Sequence, residues 1–317
     1  MDGDGGIDGV DVEVEGLTLR YGELTAVAGV DLRVAAGAVV GIIGPNGAGK
    51  TSLMECAAGL RRPTAGRVRI AGRDPLVERD RITALAGVQL QHTSYPPRVT
   101  VGEVCRLFAG FYRNPADYRA LLDEFGLQAQ RSQRVDKLSG GQQQRLSLVL
   151  ALLGRPRVVF LDELTTGLDP VARRAVWEGL RARNDAGLTV LITSHHMEEV
   201  EYLCDRVAVM VAGKLAADDT VSALIEAYAG SAERFVVESA GQDRGLRRDL
   251  EQVGDGVRVT PSGNRLRIDI TEPALGVRVR ELLRQRQAVS RPLGASLEEV
   301  YLTLTGQQAT EDGENVR

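Results

Sequence analysis

The stretch AVVGIIGPNGAGKTS, residues 38–52, joins an apolar run to a glycine-rich turn and then to the start of a helix. Residues 38–43 predict a buried strand, and residues 50–60 predict a helix. Between them, the sequence matches the pattern G-x-x-x-x-G-K-[ST] in the strand–turn–helix context that a phosphate-binding loop needs. Backbone N–H groups of such a turn approach phosphate oxygens, and the helix N-terminus adds favourable partial charge. The stretch therefore predicts an α/β fold with a nucleoside triphosphate site.

Within this loop, Lys50 is expected to reach the outer phosphates, and the hydroxyl of Thr51 is expected to ligate Mg²⁺. Only three of the chain's 39 basic residues are lysines. A lysine at this position therefore indicates that the site requires a compact ammonium group and not a planar guanidinium. A purely structural glycine-rich turn is the alternative interpretation. The residues predicted to contact ATP in this loop are Gly44, Pro45, Asn46, Gly47, Ala48, Gly49, Lys50, Thr51 and Ser52.

Length and composition are those of an ordinary folded chain. Its 317 residues are 43% apolar and 26% charged, with a net charge of −4. This length allows a domain of about 200 residues plus a smaller one. The net negative charge does not favour electrostatic binding to nucleic acid. No apolar run approaches the roughly 18 residues that span a bilayer. Residues 1–9, acidic and glycine-rich, are expected to be a disordered tail, and the three separated cysteines predict buried, reduced thiols.

Short apolar strands alternate with helices along the first 228 residues. Half-exposed strands are predicted at 10–20 and 27–34, buried strands at 157–161, 188–193 and 206–211, and helices at about 100–113, 115–126 and 140–153. Thr100 and Glu103 have the spacing of a capping box at the first of these helices. The order predicts a mainly parallel sheet covered on both faces, with an antiparallel β part and a helical insertion at about 92–153.

A second, smaller domain is predicted at 233–306, after a first domain at 10–228. Its elements follow the order β-α-β-β-α-β, which is typical of a ferredoxin-like domain. A last helix should begin after Ser296, with Glu299 completing a capping box. Residues 307–317 are polar and are expected to be a loose tail.

Two carboxylates end the apolar run VVFLDE, residues 158–163. Asp162 is predicted to be a second contact for Mg²⁺. Glu163, which points the other way along the strand, is predicted to polarise an attacking water. A strand ending in Asp-Glu is by itself often only a solvated end, but here it follows a phosphate-binding loop in the same sheet.

Five motifs in this order resemble an ATP-binding-cassette ATPase: the phosphate loop, LSGGQ at 138–142, VVFLDE, TTGLDP at 165–170 and TSHHMEE at 193–199. The resemblance covers about residues 10–225 and implies a P-loop NTPase cassette. LSGGQ is its most specific mark, because kinases and GTPases with the same loop lack it. The C-terminal domain, ending in SLEEVYLTLTG, looks like the accessory domain of daunorubicin-resistance-type exporter ATPases. The preferred interpretation of that domain is a dimer-stabilising cap, with ligand sensing as the alternative.

The resemblance assigns roles to further residues. It implies that Tyr21 stacks on adenine, that His195 contacts the γ-phosphate and that Asp169 lies at a dimer interface. His196 is the alternative for the histidine, but the family pattern places the functional histidine directly after a Thr or Ser, here Ser194.

Gln91 is implied to sense both Mg²⁺ and the γ-phosphate, with Gln89 as the weaker alternative. Two positions depart from the family pattern. Leu164 replaces a proline that usually follows the glutamate, which loosens a turn but removes no reacting group. His92 stands where an acidic residue is commoner, and its effect stays open.

The LSGGQ segment raises the question of why one nucleotide would need two phosphate cradles. Its glycines precede a helix, and the hydroxyl of Ser139 can cap that helix. The resemblance implies that the segment completes the site of a second copy in a head-to-tail pair. The residues that would face the partner's ATP are Ser139, Gly140, Gly141 and Gln142.

Three functions remain in competition. The favoured one is the ATPase subunit of an exporter that drives a separate membrane permease, from the cytoplasmic face of the membrane. An importer ATPase is the second. The third is a soluble cassette ATPase of DNA repair or translation. Such proteins are expected to have a long coiled coil, or a second cassette with a basic linker, and this sequence shows none of these. No nucleic-acid partner is therefore expected, and the transported substrate cannot be inferred from this chain.

Overall fold

The computed structural model describes residues 9–90, 95, 98–228, 233–238, 244–294 and 296–306. The chain divides into two compact units, Met1–Val221 and Ser222–Arg317. This division lies N-terminal to the boundary that the sequence predicted near residue 229.

The first unit alternates strands and helices. Its strands are β1 (Val10–Tyr21), β2 (Leu24–Ala35), β3 (Val39–Ile43), β4 (Ala65–Ile70), β5 (Ala86–Gln89), β6 (Val158–Asp162), β7 (Thr189–Thr193), β8 (Arg206–Val211) and β9 (Lys214–Thr220). Its helices are α1 (Lys50–Ala57), α2 (Arg79–Leu85), α3 (Val101–Ala109), α4 (Tyr118–Glu124), α5 (Gly140–Leu152), α6 (Pro170–Asp185) and α7 (Met197–Leu203), and α8 (Val221–Tyr228) begins at the division.

A six-stranded sheet in the order β5-β6-β7-β3-β8-β9 forms the centre of this unit. All neighbouring strands are parallel except β8 and β9, which pair antiparallel. Strands β3, β6 and β7 are buried at every position, as expected for a parallel sheet covered on both faces. The strand that precedes the glycine-rich turn therefore lies inside the sheet, between β7 and β8.

A separate antiparallel sheet in the order β2-β1-β4 provides the predicted antiparallel part. Alternate residues of β1 and β2 enter one apolar core together with α1, including Val12, Leu32, Leu53 and Met54. The sequence-predicted fold class, a P-loop cassette with these two sheets, is confirmed. No helix in the described part of the chain is both long and apolar enough to cross a bilayer.

The predicted helices between residues 100 and 153 are present as α3, α4 and α5. At the start of α3, Thr100 and Glu103 form the reciprocal capping box that their spacing predicted. Helix α1 ends at Ala57, three residues before the predicted end at residue 60. The three cysteines are free and buried, as predicted.

The second unit contains a four-stranded antiparallel sheet. Its elements are β10 (Glu233–Glu238), α9 (Arg244–Glu251), β11 (Val257–Ser262), β12 (Arg265–Ile270), α10 (Pro273–Gln285), β13 (Ser290–Pro292) and α11 (Leu297–Thr305). In the strand order β11-β12-β10-β13 all neighbours are antiparallel, so β12 lies between the parallel strands β10 and β11, and β10 lies between the parallel strands β12 and β13. This is a split β-α-β arrangement. The ferredoxin-like topology is therefore confirmed.

The capping box predicted at Ser296 is wrong. The side chain of Ser296 accepts no cap hydrogen bond at the start of α11. The carboxylate of Glu299, which is 8% exposed, is instead held by Arg234 at 2.7 Å and by Arg267 at 2.6 Å. Two guanidinium groups from neighbouring strands hold this carboxylate, and because each brings a full opposite charge they are stronger partners for it than one neutral backbone N–H.

Candidate nucleotide-binding site

The glycine-rich loop lies between β3 and α1, and backbone contacts leave no room for side chains at two of its glycines. Gly49 has φ +100°, and a Cβ there would lie 2.2 Å from the carbonyl oxygen of Ala26. Gly44 has φ +156°, and its Cβ would lie 2.2 Å from the carbonyl oxygen of Met210. The backbone of β2 and of β8 thus excludes a side chain at these two positions, and glycine alone fits the loop that leads into the N-terminus of α1.

The ammonium of Lys50 folds back over this loop. Its Nζ donates to the carbonyl oxygens of Gly44 at 2.8 Å and Pro45 at 3.0 Å, and the residue is only 7% exposed. Burial lowers the pKa of Lys50, while the nearby carboxylates of Glu163 and Asp162 oppose that shift. A compact cation is therefore held beside the exposed helix N-terminus, where phosphate oxygens would be favoured.

Asp162 ends strand β6 and faces the start of α1. It is 1% exposed, and its Oδ1 accepts hydrogen bonds from Thr51 Oγ1 at 3.5 Å and from Thr193 Oγ1. Its Oδ2 is buried and has no hydrogen-bond partner within the described part of the chain. Burial, as the largest cause, raises the pKa of Asp162.

These oxygens fit a Mg²⁺ ion. A buried carboxylate oxygen without a partner is costly unless a ligand satisfies it. A hydroxyl and a carboxylate are also the donors that Mg²⁺ takes from proteins when phosphates supply further oxygens. The pair Thr51 and Asp162 can therefore hold a Mg²⁺ ion that is bound to nucleotide.

Glu163 follows directly in a strained conformation, with φ +50°. Its N–H donates to Thr193, to the carbonyl oxygen at 3.1 Å and to Oγ1 at 3.0 Å. Its Oε1 lies 3.8 Å from Nδ1 of His195. The structure thus brings Lys50, Asp162, Glu163 and His195 to one end of the parallel sheet, where the sequence predicted a common site. Leu164, at the position that departs from the family pattern, is buried at 1% exposure.

A buried hydrogen-bond network supports the histidine segment, and sequence reasoning missed it. Glu199 is fully buried and accepts hydrogen bonds from Trp177 Nε1 at 3.0 Å and from the hydroxyl of Ser194. The oxygen of Ser194 in turn accepts the N–H of His196 at 3.0 Å. The motif TSHHMEE contains Glu199, but its partner Trp177 lies 22 residues earlier in the chain, so no local sequence pattern predicts this hydrogen bond.

His196, the alternative histidine, packs its ring at 4.1 Å from that of His195. Burial, followed by the charge of His195, lowers the pKa of His196. His195 is the histidine whose Nδ1 lies 3.8 Å from Glu163 Oε1, and its contact with the γ-phosphate stays a prediction.

The predicted adenine end of the site contains Tyr21 and Ser52, whose oxygens lie 3.3 Å apart. Tyr21 is 42% exposed. The guanidinium of Arg61 lies 5.1 Å from the ring centroid and is itself bonded to Glu55. Arg61 is a neighbour that the sequence did not predict.

The segment 139–142 forms the start of α5. Ser139 and Gln142 cap this helix reciprocally, the hydroxyl accepting from Gln142 N at 3.3 Å and Gln142 Oε1 accepting from Ser139 N at 2.9 Å. Gly140 is exposed, and a Cβ on Gly141 would lie 2.9 Å from Leu168 Cδ2. The segment therefore contacts the loop after β6.

Asp169 caps α6, accepting from Val171 N at 3.0 Å and Ala172 N at 2.9 Å. These backbone hydrogen bonds lower the pKa of Asp169, and its side chain is exposed. The predicted residues Gln91 and His92 lie outside the described residues. Gln89, the alternative to Gln91, is 1% exposed at the end of β5.

Comparisons with known proteins agree on one family. The family model described as ABC transporter matches residues 27–166. The chain is 38% identical over 307 residues to the Nod factor export ATP-binding protein I of Paraburkholderia xenovorans, covering 94% of this chain and 97% of that protein. It is 37% identical over 310 residues to the daunorubicin/doxorubicin resistance ATP-binding protein DrrA of Streptomyces peucetius, covering 94% and 93%.

Among solved structures, the chain resembles a dimeric, post-hydrolysis ATP-binding cassette bound to ADP and Pi. The TM-score is 0.60 at 25% sequence identity, and the match covers 66% of this chain and 98% of that one.

Proposed function

Because this chain belongs to the ABC transporter family, as an ATP-binding subunit of the exporter type, we propose that it works as a head-to-tail pair of copies. The pair hydrolyses ATP and transmits the resulting conformational change to a separate membrane permease. The single observation that supports this proposal best is the convergence of Lys50, Asp162, Glu163 and His195 beside the phosphate loop.

Each of these side chains has a role that follows from its position. Lys50, now 2.8 Å from the carbonyl oxygen of Gly44, exchanges that partner for a phosphate oxygen when nucleotide binds. Thr51 and Asp162 would hold a Mg²⁺ ion, which would neutralise charge that develops on the phosphates. Glu163 orients and polarises the attacking water, and His195, 3.8 Å from its carboxylate, contacts the γ-phosphate.

The second phosphate cradle serves the other copy. Ser139 and Gly141 begin α5 with backbone N–H groups at a helix N-terminus, which favours an anion. In the head-to-tail pair this N-terminus faces the γ-phosphate held by the partner's loop, and Asp169 lies at the interface. ATP then favours the closed pair through its contacts with both copies, and hydrolysis removes that preference.

The membrane permease is a separate protein that binds this subunit at the cytoplasmic face. Export is favoured over import because the relatives named above are an export protein and a drug-resistance protein. The second unit is proposed to be a cap that stabilises the pair.

The test is an affinity purification of the tagged Glu163→Gln chain from detergent-solubilised native membranes. We expect ATP binding without turnover, and recovery of a polytopic membrane protein in stoichiometric amount. The matched control is Glu178→Gln, which changes a carboxylate on α6 whose side chain is 61% exposed and should leave turnover unchanged. Recovery only from the soluble fraction, with ribosomes or DNA-repair proteins, would overturn the exporter role. Normal ATP turnover by Glu163→Gln would overturn the role of the Glu163 carboxylate.

A further inference from the structure

Three consecutive glutamines at the start of α5 make three different contacts. Gln142 caps its own helix through Ser139. Gln143 is exposed, and its Nε2 donates to the carbonyl oxygen of Leu138 at 3.3 Å. The side chain of Gln144 reaches away from α5, and its Nε2 donates to the carbonyl oxygen of Glu163 at 2.9 Å. Only Gln144 among the three links α5 to the residue that we propose activates water.

The backbone of Glu163 needs this kind of support. Its φ of +50° lies in the left-handed region, which a non-glycine residue occupies only when its surroundings hold it there. Thr193 accepts its N–H from one side, and Gln144 donates to its carbonyl from the other. The backbone of Glu163 is thereby held on both sides of its Cα, by strand β7 through the N–H and by helix α5 through the carbonyl oxygen.

The same helix presents its first turn to a different nucleotide. In the proposed pair, residues 139–142 face the ATP held by the partner, while Gln144 lies less than one turn further along α5. Gly141 also packs against Leu168, in the loop that follows Glu163. A shift of α5 on contact with the partner's γ-phosphate therefore displaces the hydrogen bond that holds this copy's own Glu163.

We infer that Gln144 is a positioning residue that couples the two nucleotide sites, orienting the carboxylate of Glu163 in one site according to what the start of α5 contacts in the other. This inference rests on the proposed head-to-tail pairing. The coupling needs no additional ligand, because the hydrogen bond from Gln144 Nε2 to the Glu163 carbonyl oxygen connects the two sites.

The experiment compares Gln144→Met with the matched control Gln143→Met, both in the full chain. Methionine keeps the length of the side chain but removes the donor. We expect Gln144→Met to lower kcat about tenfold, because a carbonyl left without its donor loses about one hydrogen bond of positioning. KM for ATP should change by less than about twofold. We expect a Hill coefficient above one in wild type, and it should fall to one in Gln144→Met. Gln143→Met should match wild type in all three.

A second variant guards against misfolding. Gln144→Glu has nearly the same size but directs a carboxylate at the carbonyl oxygen of Glu163, so it should lower kcat at least as much as Gln144→Met and abolish cooperativity as well. Wild-type kcat and Hill coefficient in both Gln144 variants, an equal loss in Gln143→Met, or a wild-type Hill coefficient of one would each overturn the coupling.

Failure of the proposed function has a separate signature. ATP should drive pairing of the Glu163→Gln chain, measured by gel filtration, with or without the additional Gln144→Met change. Absence of pairing in Glu163→Gln alone contradicts the head-to-tail model itself. Pairing together with normal kinetics of Gln144→Met contradicts only the coupling.

Discussion

Replacing Glu199 by leucine removes the acceptor at the centre of the buried network behind the histidine segment. Two donors then lose their partner, the indole N–H of Trp177 and the hydroxyl of Ser194. Glu199→Gln is the matched variant, because an amide keeps an oxygen for the indole and supplies an N–H that the oxygen of Ser194 can accept. The two substitutions therefore differ in hydrogen bonding far more than in volume.

The expected magnitudes follow from these contacts. Each hydrogen bond to a charged acceptor contributes about 1.5–3 kcal/mol, so the loss of two costs about 4.5 kcal/mol. Burying the leucine side chain recovers about 1.5 kcal/mol. Glu199→Leu should thus lower the free energy of unfolding by about 3 kcal/mol, a value expected for a broken buried network. Glu199→Gln exchanges charged for neutral hydrogen bonds and should cost about 1 kcal/mol.

The assay is urea unfolding followed by tryptophan fluorescence. Trp177 is the single tryptophan of the chain, it is 5% exposed, and its ring stacks on Tyr202 at 5.3 Å. The signal therefore reports on the first unit alone. With a slope of about 3 kcal/mol per molar urea, the midpoint of Glu199→Leu should fall by about 1 M.

Equal midpoints for the leucine and glutamine variants would refute the reasoning, because their hydrogen-bonding difference would then carry no free energy. A functional consequence accompanies the loss of stability. The hydroxyl oxygen of Ser194 holds the N–H of His196 at 3.0 Å, so the backbone that carries His195 loosens in Glu199→Leu. We expect kcat of the folded variant to fall while its affinity for ATP remains near that of wild type.

Three further predictions concern the site itself. Gly49→Ala should abolish ATP binding measured with a fluorescent nucleotide, since its Cβ would meet the carbonyl oxygen of Ala26 at 2.2 Å. At Gly47 no atom lies within 4 Å of an added Cβ, so Gly47→Ala should bind ATP more strongly than Gly49→Ala. The reverse order of affinities would contradict the steric argument. Ser139→Arg should bind ATP like wild type but neither pair in gel filtration nor hydrolyse ATP, and a normal rate would remove the shared-site model. Burial raises the pKa of Asp162 above its ordinary 3.8, so its ionisation destabilises the nucleotide-free fold as pH rises above that value. Asp162→Asn should therefore raise Tm at pH 7, and the gain should shrink as the pH is lowered towards 4; a gain independent of pH would contradict this origin.

Much of the site was accessible from the sequence because its signals are local. The phosphate loop, the strand ending in Asp162 and Glu163, the capping box at Thr100 and the helix cap at Ser139 all depend on residues within a few positions of one another. Their hydrogen bonds are made inside one turn or one strand end, so spacing alone predicts them. The same logic failed at Ser296, because distant arginines compete for Glu299.

The amino-acid sequence by itself determined the alternation of strands and helices, the phosphate loop and the side chains available for chemistry, since periodicity and spacing act over short distances. The tertiary structure alone decided that β3 lies between β7 and β8, that Trp177 reaches Glu199, and that Gln144 and not its two neighbours holds Glu163. These contacts join residues that are 19 to 22 positions apart or more, and they form only when the sheet brings its strand ends together. Packing, which depends on the whole chain, therefore positions the groups whose identity the sequence supplies.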